Sequence, residues 1–245
     1  GFLMTEAAAN IAKKYPDAKF GIIDSVVEAP NVASVVFKEE EGSFLVGMIA
    51  AKMTKTGKVG FMGGMQVPII EKFEAGYRAG VAAVDPKIKV VVAYTGSFNN
   101  QAKGKEVALA QYGKGVDIIF SAAGADGLGA IEAAKEKKLF AIGVDSDQRH
   151  LAPESVITSR MKYVFTVTKM AKEGNFPGGK VTVLGLKENG VGPAPGEGSA
   201  LVPAEVMTLV ETWKKVIIDG KFVVPTTIAE YETFKKDVLP KLEIK

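Results

Sequence analysis

The chain contains no cysteine and a single histidine, His150. That absence removes disulfides, thiol catalysis and Cys/His zinc sites together. Arginine is almost as scarce: Arg78, Arg149 and Arg160 stand among 31 basic residues, the rest lysine. The lysines are interleaved with acids, as in Lys135-Glu136-Lys137-Lys138 and Lys103-Gly104-Lys105-Glu106. Such mixing marks solvated helix faces, whereas recognition patches cluster their charge. A net charge of +3 excludes a polyanion-binding surface built on bulk charge, so nucleic acid is not an expected partner. Long apolar runs are missing too. The strongest, around Phe44 to Ala51, falls well short of the ~20 residues that cross a bilayer. Gly1-Phe2-Leu3-Met4 has no basic n-region, so no signal peptide is visible and any address label is expected upstream. The lack of cysteine suits an oxidising compartment.

What is present is an ordinary globular composition of 245 residues, 47% hydrophobic and 24% charged, enough for one large or two small domains. Short β-rich apolar runs alternate with helical windows. Helices are expected at Thr5 to Lys14, Gly42 to Lys55, Ile69 to Val84, Ala102 to Tyr112 and Gly127 to Lys138. Strands are expected at Lys19 to Asp24, Val32 to Phe37, Lys58 to Gly63, Lys89 to Thr95, Val116 to Ser121 and Phe140 to Val144. Strands apolar at nearly every position, separated by helices, mean an α/β fold with parallel sheets covered on both faces. Beyond Asp145 the rhythm changes. A strand at Val156 to Ser159, a helix at Tyr163 to Glu173 and a strand at Lys180 to Leu186 follow. A Gly- and Pro-rich loop or linker runs from Lys187 to Ser199. A helix at Ala204 to Asp219 stops at Gly220, and a weak lysine-rich helix is expected at Tyr231 to Leu242.

In doubly wound sheets ligands bind outside the carboxyl ends of the strands. Five such ends finish in small or polar residues: Ile22-Ile23-Asp24-Ser25, Gly60-Phe61-Met62-Gly63-Gly64, Tyr94-Thr95-Gly96-Ser97-Phe98-Asn99-Asn100, Phe120-Ser121-Ala122-Ala123-Gly124 and Gly143-Val144-Asp145-Ser146-Asp147. Acids, aromatics and glycines on one rim suit a flat, neutral, polyhydroxylated ligand, since carboxylates accept from hydroxyls and aromatic faces stack on a base. The plainer account is that Asp and Ser cap the following helices and Gly supplies the turns. Gly60, Gly63 and Gly64 lack the spacing of a phosphate cradle. No serine sits in a nucleophile elbow. Asp145 and Asp147 lack the further acids of a calcium loop, though they leave open a sugar- or nucleoside-processing enzyme.

The segments Gly42-Ser43-Phe44-Leu45-Val46-Gly47, Lys58-Val59-Gly60-Phe61, Phe73-Glu74-Ala75-Gly76-Tyr77, Gly143-Val144-Asp145-Ser146-Asp147-Gln148 and Gly185-Leu186-Lys187 with Gly190-Val191-Gly192 closely resemble the basic membrane protein family, from Gly1 to about Pro225. These are substrate-binding lipoproteins of ABC importers. The resemblance implies a type I periplasmic binding protein fold of two doubly wound lobes with a hinge, closing on a purine nucleoside of the inosine, adenosine or guanosine class. It implies no catalysis and no cofactor. The partners would be ABC permease and ATPase subunits, and the place extracytoplasmic, with membrane attachment through a lipid anchor outside this chain. A ligand-sensing regulator on the same scaffold is the alternative. The expected divisions are 1–38 for the remainder of lobe one, 39–145 for lobe two, 146–186 for a return to lobe one and hinge, and 187–245 for linker, helix and tail. Position by position, the resemblance gives Asp24 to the base and Phe120 to stacking on the purine. Gly124 falls in the loop that follows, and Asp145 and Lys162 go to the ribose. Three departures stand out. The family's opening strand and loop, with a further acid and aromatic, do not appear, so the N-terminal part of lobe one is expected to be missing. The helix Tyr163 to Glu173 is about one turn short. Ala125-Asp126 replaces a Gly-Thr-like pair.

Overall fold

The computed structural model describes residues 1–162, 169–170, 172–194 and 201–242. The chain divides into two units. The smaller is Gly1–Lys38 with Lys162–Val191, and the larger is Glu39–Met161 with Gly192–Lys245. These divisions fall at 161/162 and 191/192, later than the sequence-based boundaries at 145/146 and 186/187. The first lag arises because β7 (Val156–Lys162) carries the larger unit's sheet onward, and the second because the smaller unit runs to Val191, where β9 (Val191–Pro193) rejoins that sheet.

In the smaller unit, α1 (Thr5–Lys14) precedes β1 (Phe20–Ile23) and β2 (Val32–Phe37). With β8 (Val181–Leu184) they form a parallel sheet in the order β1-β2-β8. Its core is Ala12, Ile22, Val27 and Val32. Asn31 Nδ2 lies 3.0–3.1 Å from the carbonyls of Ala12, Tyr15 and Ala18, which pins the α1–β1 turn to the start of β2.

The larger unit is built on a six-stranded sheet in the order β4-β3-β5-β6-β7-β9. Here β3 is Lys58–Gly63, β4 Lys89–Tyr94, β5 Ile118–Ala122 and β6 Phe140–Asp145. The β4-β3, β3-β5, β5-β6 and β6-β7 pairs are all parallel. Every residue of β5 is buried, as a central strand covered on both faces requires. The helices α2 (Glu39–Met53), α3 (Pro68–Val84), α4 (Gln101–Gly113), α5 (Asp126–Lys137) and α6 (Ala204–Ile218) complete it. Pro68 opens α3 at a position where its missing N–H costs nothing. Asn100 caps α4 by accepting from Lys103 N at 3.0 Å.

Helix α2 is buried from Glu39 through Ala51, and an apolar helix of that kind must be enclosed on all sides. One enclosing surface is α3. Gly76 and Gly80 there lie so close that an added Cβ would collide with the backbone of Glu40 and Phe44. Another is α6 and the segment after it: the ring of Phe44 stacks at 5.6 Å on Trp213 and at 5.1 Å on Phe222. The C-terminal stretch, expected to be linker, helix and tail, thus supplies core to the larger unit.

Other differences from the sequence reading are local. The Lys187 to Ser199 loop contains β9, and Ala194 N donates to Ser159 O at 2.8 Å beside β7. Helical structure in the tail begins earlier than expected, at α7 (Ile228–Thr233), where Thr227 accepts from Glu230 N. Of the helix expected at Tyr163 to Glu173, residues 163–168 and 171 lie outside the described residues.

Candidate ligand-binding site

The larger sheet reverses its winding between β3 and β5: β4 is added on one side, β6 and β7 on the other. The carboxyl ends of these two strands therefore frame the switch-point crevice. Gly64 N donates to Ala122 O at 3.1 Å, closing the two ends together. Phe98, half-buried in the β4–α4 loop, lies over this point. Its ring packs against Gly64, and Ala125 N donates to its carbonyl at 2.9 Å. Gly124 has φ +56, and a Cβ there would press on the Phe98 carbonyl. Glycine is thus required at 124 both for conformation and for space.

Asp126, the departure from the family pair, is fully buried. It accepts from Asn100 N at 2.6 Å and from Ser97 Oγ at 3.4 Å, so its carboxylate braces the loop that carries Phe98.

Asp145 ends β6 with φ +65, a left-handed conformation costly for a residue with a side chain. Such strain concentrates at functional sites. Its side chain is 52% exposed, and one oxygen lies 3.9 Å from Nη1 of the fully buried Arg160. The turn that follows is fixed by Gln148, which accepts from Val144 N at 3.0 Å and whose own N–H donates to Ser159 Oγ at 3.0 Å. Asp147 is engaged separately. Arg149 Nε and Nη2 donate to its two oxygens at 2.8 and 2.6 Å, and these bonds hold its pKa below the usual carboxylate value. Asp147 is therefore committed to a cation and is poorly placed to act as a proton donor beside Asp145.

In the smaller unit, Asp24 closes β1 with φ +62, the same strained conformation. Lys162 Nζ donates to both of its oxygens and lies 5.3 Å over the Phe37 ring. The structure thus joins two residues that sequence reasoning had assigned separately to base and ribose.

Phe120 requires correction. Its expected role was to stack on a ligand, yet it is 0% exposed. Its ring stands 5.3 Å from Tyr77, 5.8 Å from Phe61 and 6.3 Å from Phe73. The physical reason is its register: Phe120 pairs with Phe61 and Ile142 in mid-strand, so its side chain enters the layer beneath α3. The aromatic at the rim is Phe98. The resemblance assigns it no role, although in the sequence the flanking Thr-Gly-Ser and Asn-Asn mark a loop rather than a strand.

A family profile described as "ABC transporter substrate-binding protein PnrA-like" matches residues 1–226. The ABC transporter nucleoside-binding protein BmpA of Lactococcus lactis is 40% identical, over 92% of this chain and 70% of its own length. Basic membrane protein A of Borreliella burgdorferi is 38% identical, over 98% and 73%. Among solved structures, an ABC transporter solute-binding protein from Aeropyrum pernix superposes with a TM-score of 0.83 at 30% identity, covering 98% of this chain and 80% of that one. A transcriptional activator of the comK gene from Bacillus halodurans gives 0.79 at 25%, covering 92% and 78%. A parallel-sheet architecture, strained acids at strand ends and these likenesses converge: the chain belongs to the Bmp family of PnrA-like ABC transporter substrate-binding proteins.

Proposed function

We propose that the chain is the extracytoplasmic solute-binding component of an importer, that its ligand is a purine nucleoside, and that it delivers this ligand to a membrane permease with its ATPase. The observation that carries the reading is Asp145, a strained, half-exposed acceptor at the carboxyl end of β6, on the same unit as Phe98 over the switch point. A carboxylate accepting from ribose hydroxyls and an aromatic stacking on the base suit a nucleoside. In this assignment Gly124 gives the Phe98 loop its close approach, while Asp24 and Lys162 are ligand contacts of the smaller unit. The nucleoside named for the Lactococcus relative supports the ligand class.

Calorimetry tests it. Inosine or adenosine should bind unchanged and without turnover, more tightly than ribose or the monophosphate, whose phosphate meets the Asp145 carboxylate. Asp145→Ala should weaken the nucleoside by about 1–3 kcal/mol, the cost of an unmade buried hydrogen bond. Equal binding of the monophosphate, or an unchanged affinity in the variant, overturns the reading. The likeness to the Bacillus halodurans activator favours a second reading, ligand sensing without transport. Co-purification of a permease with the tagged chain from its own membrane decides against it.

A further inference from the structure

We propose that Gln148 is a positioning residue for ligand recognition: its side chain and main chain together clamp the strained backbone at Asp145, and so set how well the chain distinguishes a ligand bearing ribose hydroxyls from one without them. The inference rests on the reading of Asp145 as the ribose acceptor.

Strand β6 outruns one of its neighbours. Its ladder with β5 ends at Phe120 and Ile142, whereas its ladder with β7 continues to Asp145 and Met161. Phe140 N donates toward β5, to Asp117 O at 3.0 Å, so by the two-residue period Val144 N faces the same side, past the end of that ladder. The chain then turns sharply. Ser146 N donates to Val144 O at 2.8 Å, which closes a three-residue turn centred on Asp145. With φ +65 at its centre, the turn is of the rare, strained kind. A conformation of that cost persists only where its surroundings over-determine it.

Gln148 does so on the side that β5 leaves empty. Its Oε1 accepts from Val144 N at 3.0 Å, taking the place of a strand partner. The residue before Asp145 is thereby tied to a side chain that comes after it. The main-chain N–H of Gln148 donates to Ser159 Oγ at 3.0 Å, and Ser159 is fully buried on β7. The strained residue thus lies inside a closed ring of contacts anchored to the adjacent strand. Gly143 leaves the room for it, since a Cβ there would stand 2.5 Å from both Gln148 Oε1 and Ser159 Oγ. What the ring fixes is the main chain, and with it the Cα–Cβ bond of Asp145, whatever the carboxylate itself touches. A carboxylate whose root cannot swing meets ligand hydroxyls with less left to order on binding. A connection alone needs none of this, because glycine at 145 would turn the chain without strain.

The test is calorimetry with inosine and 2′,3′-dideoxyinosine, which keeps the base and lacks the hydroxyls, run beside amide exchange. Gln148→Met keeps the length of the side chain and removes the acceptor, whereas Gln148→Glu keeps an acceptor oxygen. Q148M should lower the ratio of inosine to dideoxyinosine affinity about tenfold while dideoxyinosine changes less than about twofold, and exchange should quicken at Val144 and Ser146. Q148E should hold both the ratio and the protection within about twofold of the parent chain. Adding Q148M to D145N should lower the ratio little further. A merely structural Gln148 weakens both ligands alike, and that result overturns the inference. So does a ratio that falls without faster exchange at Val144, or one that falls as far in Q148E as in Q148M. A ratio that collapses in D145N but survives in Q148M overturns the inference and leaves the Asp145 reading standing. A ratio already insensitive to D145N overturns the Asp145 reading and the inference with it. Should Q148M fail to fold by circular dichroism, S159A carries the test: it releases the Gln148 main chain from β7, the same ratio should fall severalfold, and an unchanged ratio overturns the inference.

Discussion

Lys162 Nζ sits 2.9 and 2.7 Å from the two oxygens of Asp24, 138 positions away along the chain. The side chains are 9% and 16% exposed, so the pair is largely withdrawn from water and binds the two separate segments of the smaller unit. Removing one member leaves the other charge poorly solvated. Lys162→Met should therefore lower stability by about 1–3 kcal/mol in urea unfolding. The double variant D24N/K162M should recover part of that loss. Additive effects of the two single changes would show that the pair is not coupled.

Glu40 gives a pH signature. Burial pushes its carboxyl up from 4.5 to about 7, with Glu39 and Glu41 acting in the same direction and its own backbone amide and Lys72 opposing. Between those values the folded chain holds a proton that the unfolded chain has released. Stability attributable to this group is therefore greatest below pH 4.5, falls as pH rises to about 7, and is level above. Glu40→Gln should abolish that slope. It should stabilise the protein at pH 8 by about 1–3 kcal/mol and change it little at pH 4. Parallel pH profiles for the two proteins would contradict this.

The parallel α/β architecture was legible because strands such as Ile118–Ala122 are apolar throughout and helices separate them. Asp24, Gly124 and Asp145 were legible as strand-end residues, since small and polar residues interrupt the apolar runs there. Phe120 and Phe98 were misjudged for one reason. Both lie near a strand end, but Phe120 falls inside its apolar run, where it pairs with Phe61, while Thr-Gly-Ser before Phe98 and Asn-Asn after it mark a loop, and that difference decides which ring reaches the rim. Arg160 was invisible as a participant. A lone arginine in a strand gives no local sign that its partner is Glu39, 121 positions earlier. The short β9 was hidden by its own Gly and Pro.

Asp126 should matter through the loop it braces. Asp126→Ala removes the acceptor for Asn100 N and Ser97 Oγ, so amide exchange should quicken at Asn100 and its neighbours while the interior of β5 remains protected. Asp126→Asn keeps an acceptor oxygen and should restore most of the protection. Unchanged exchange at Asn100 in the alanine variant would remove the brace from the account.

The α2–α3 contact is intolerant of a single methyl. Gly80→Ala directs its Cβ onto the Phe44 carbonyl, and backbone cannot swing aside as a side chain can. A loss of about 1–3 kcal/mol is expected in thermal or urea unfolding. Gly113→Ala has nothing within 4 Å of the added carbon and serves as the control. Equal stability of the two variants would refute a tight helix contact.

The interleaved division of the chain also dictates an order of assembly. Strand β2 completes its sheet with β8, and their paired residues, Ser34 with Val181, are about 150 positions apart. At ribosomal rates of about 5–20 residues per second, β2 waits roughly 7–30 seconds for its partner to be made. Throughout that interval the nascent smaller unit is a helix and two strands with one ladder unformed. In the larger unit β3 to β7 follow one another without interruption, so these five strands are made before β8, and only β9 and the C-terminal helices come after it. Slow synthesis should therefore favour the correct product, whereas refolding of the whole chain from denaturant must close that long loop in competition with the local pairings of β3 to β7.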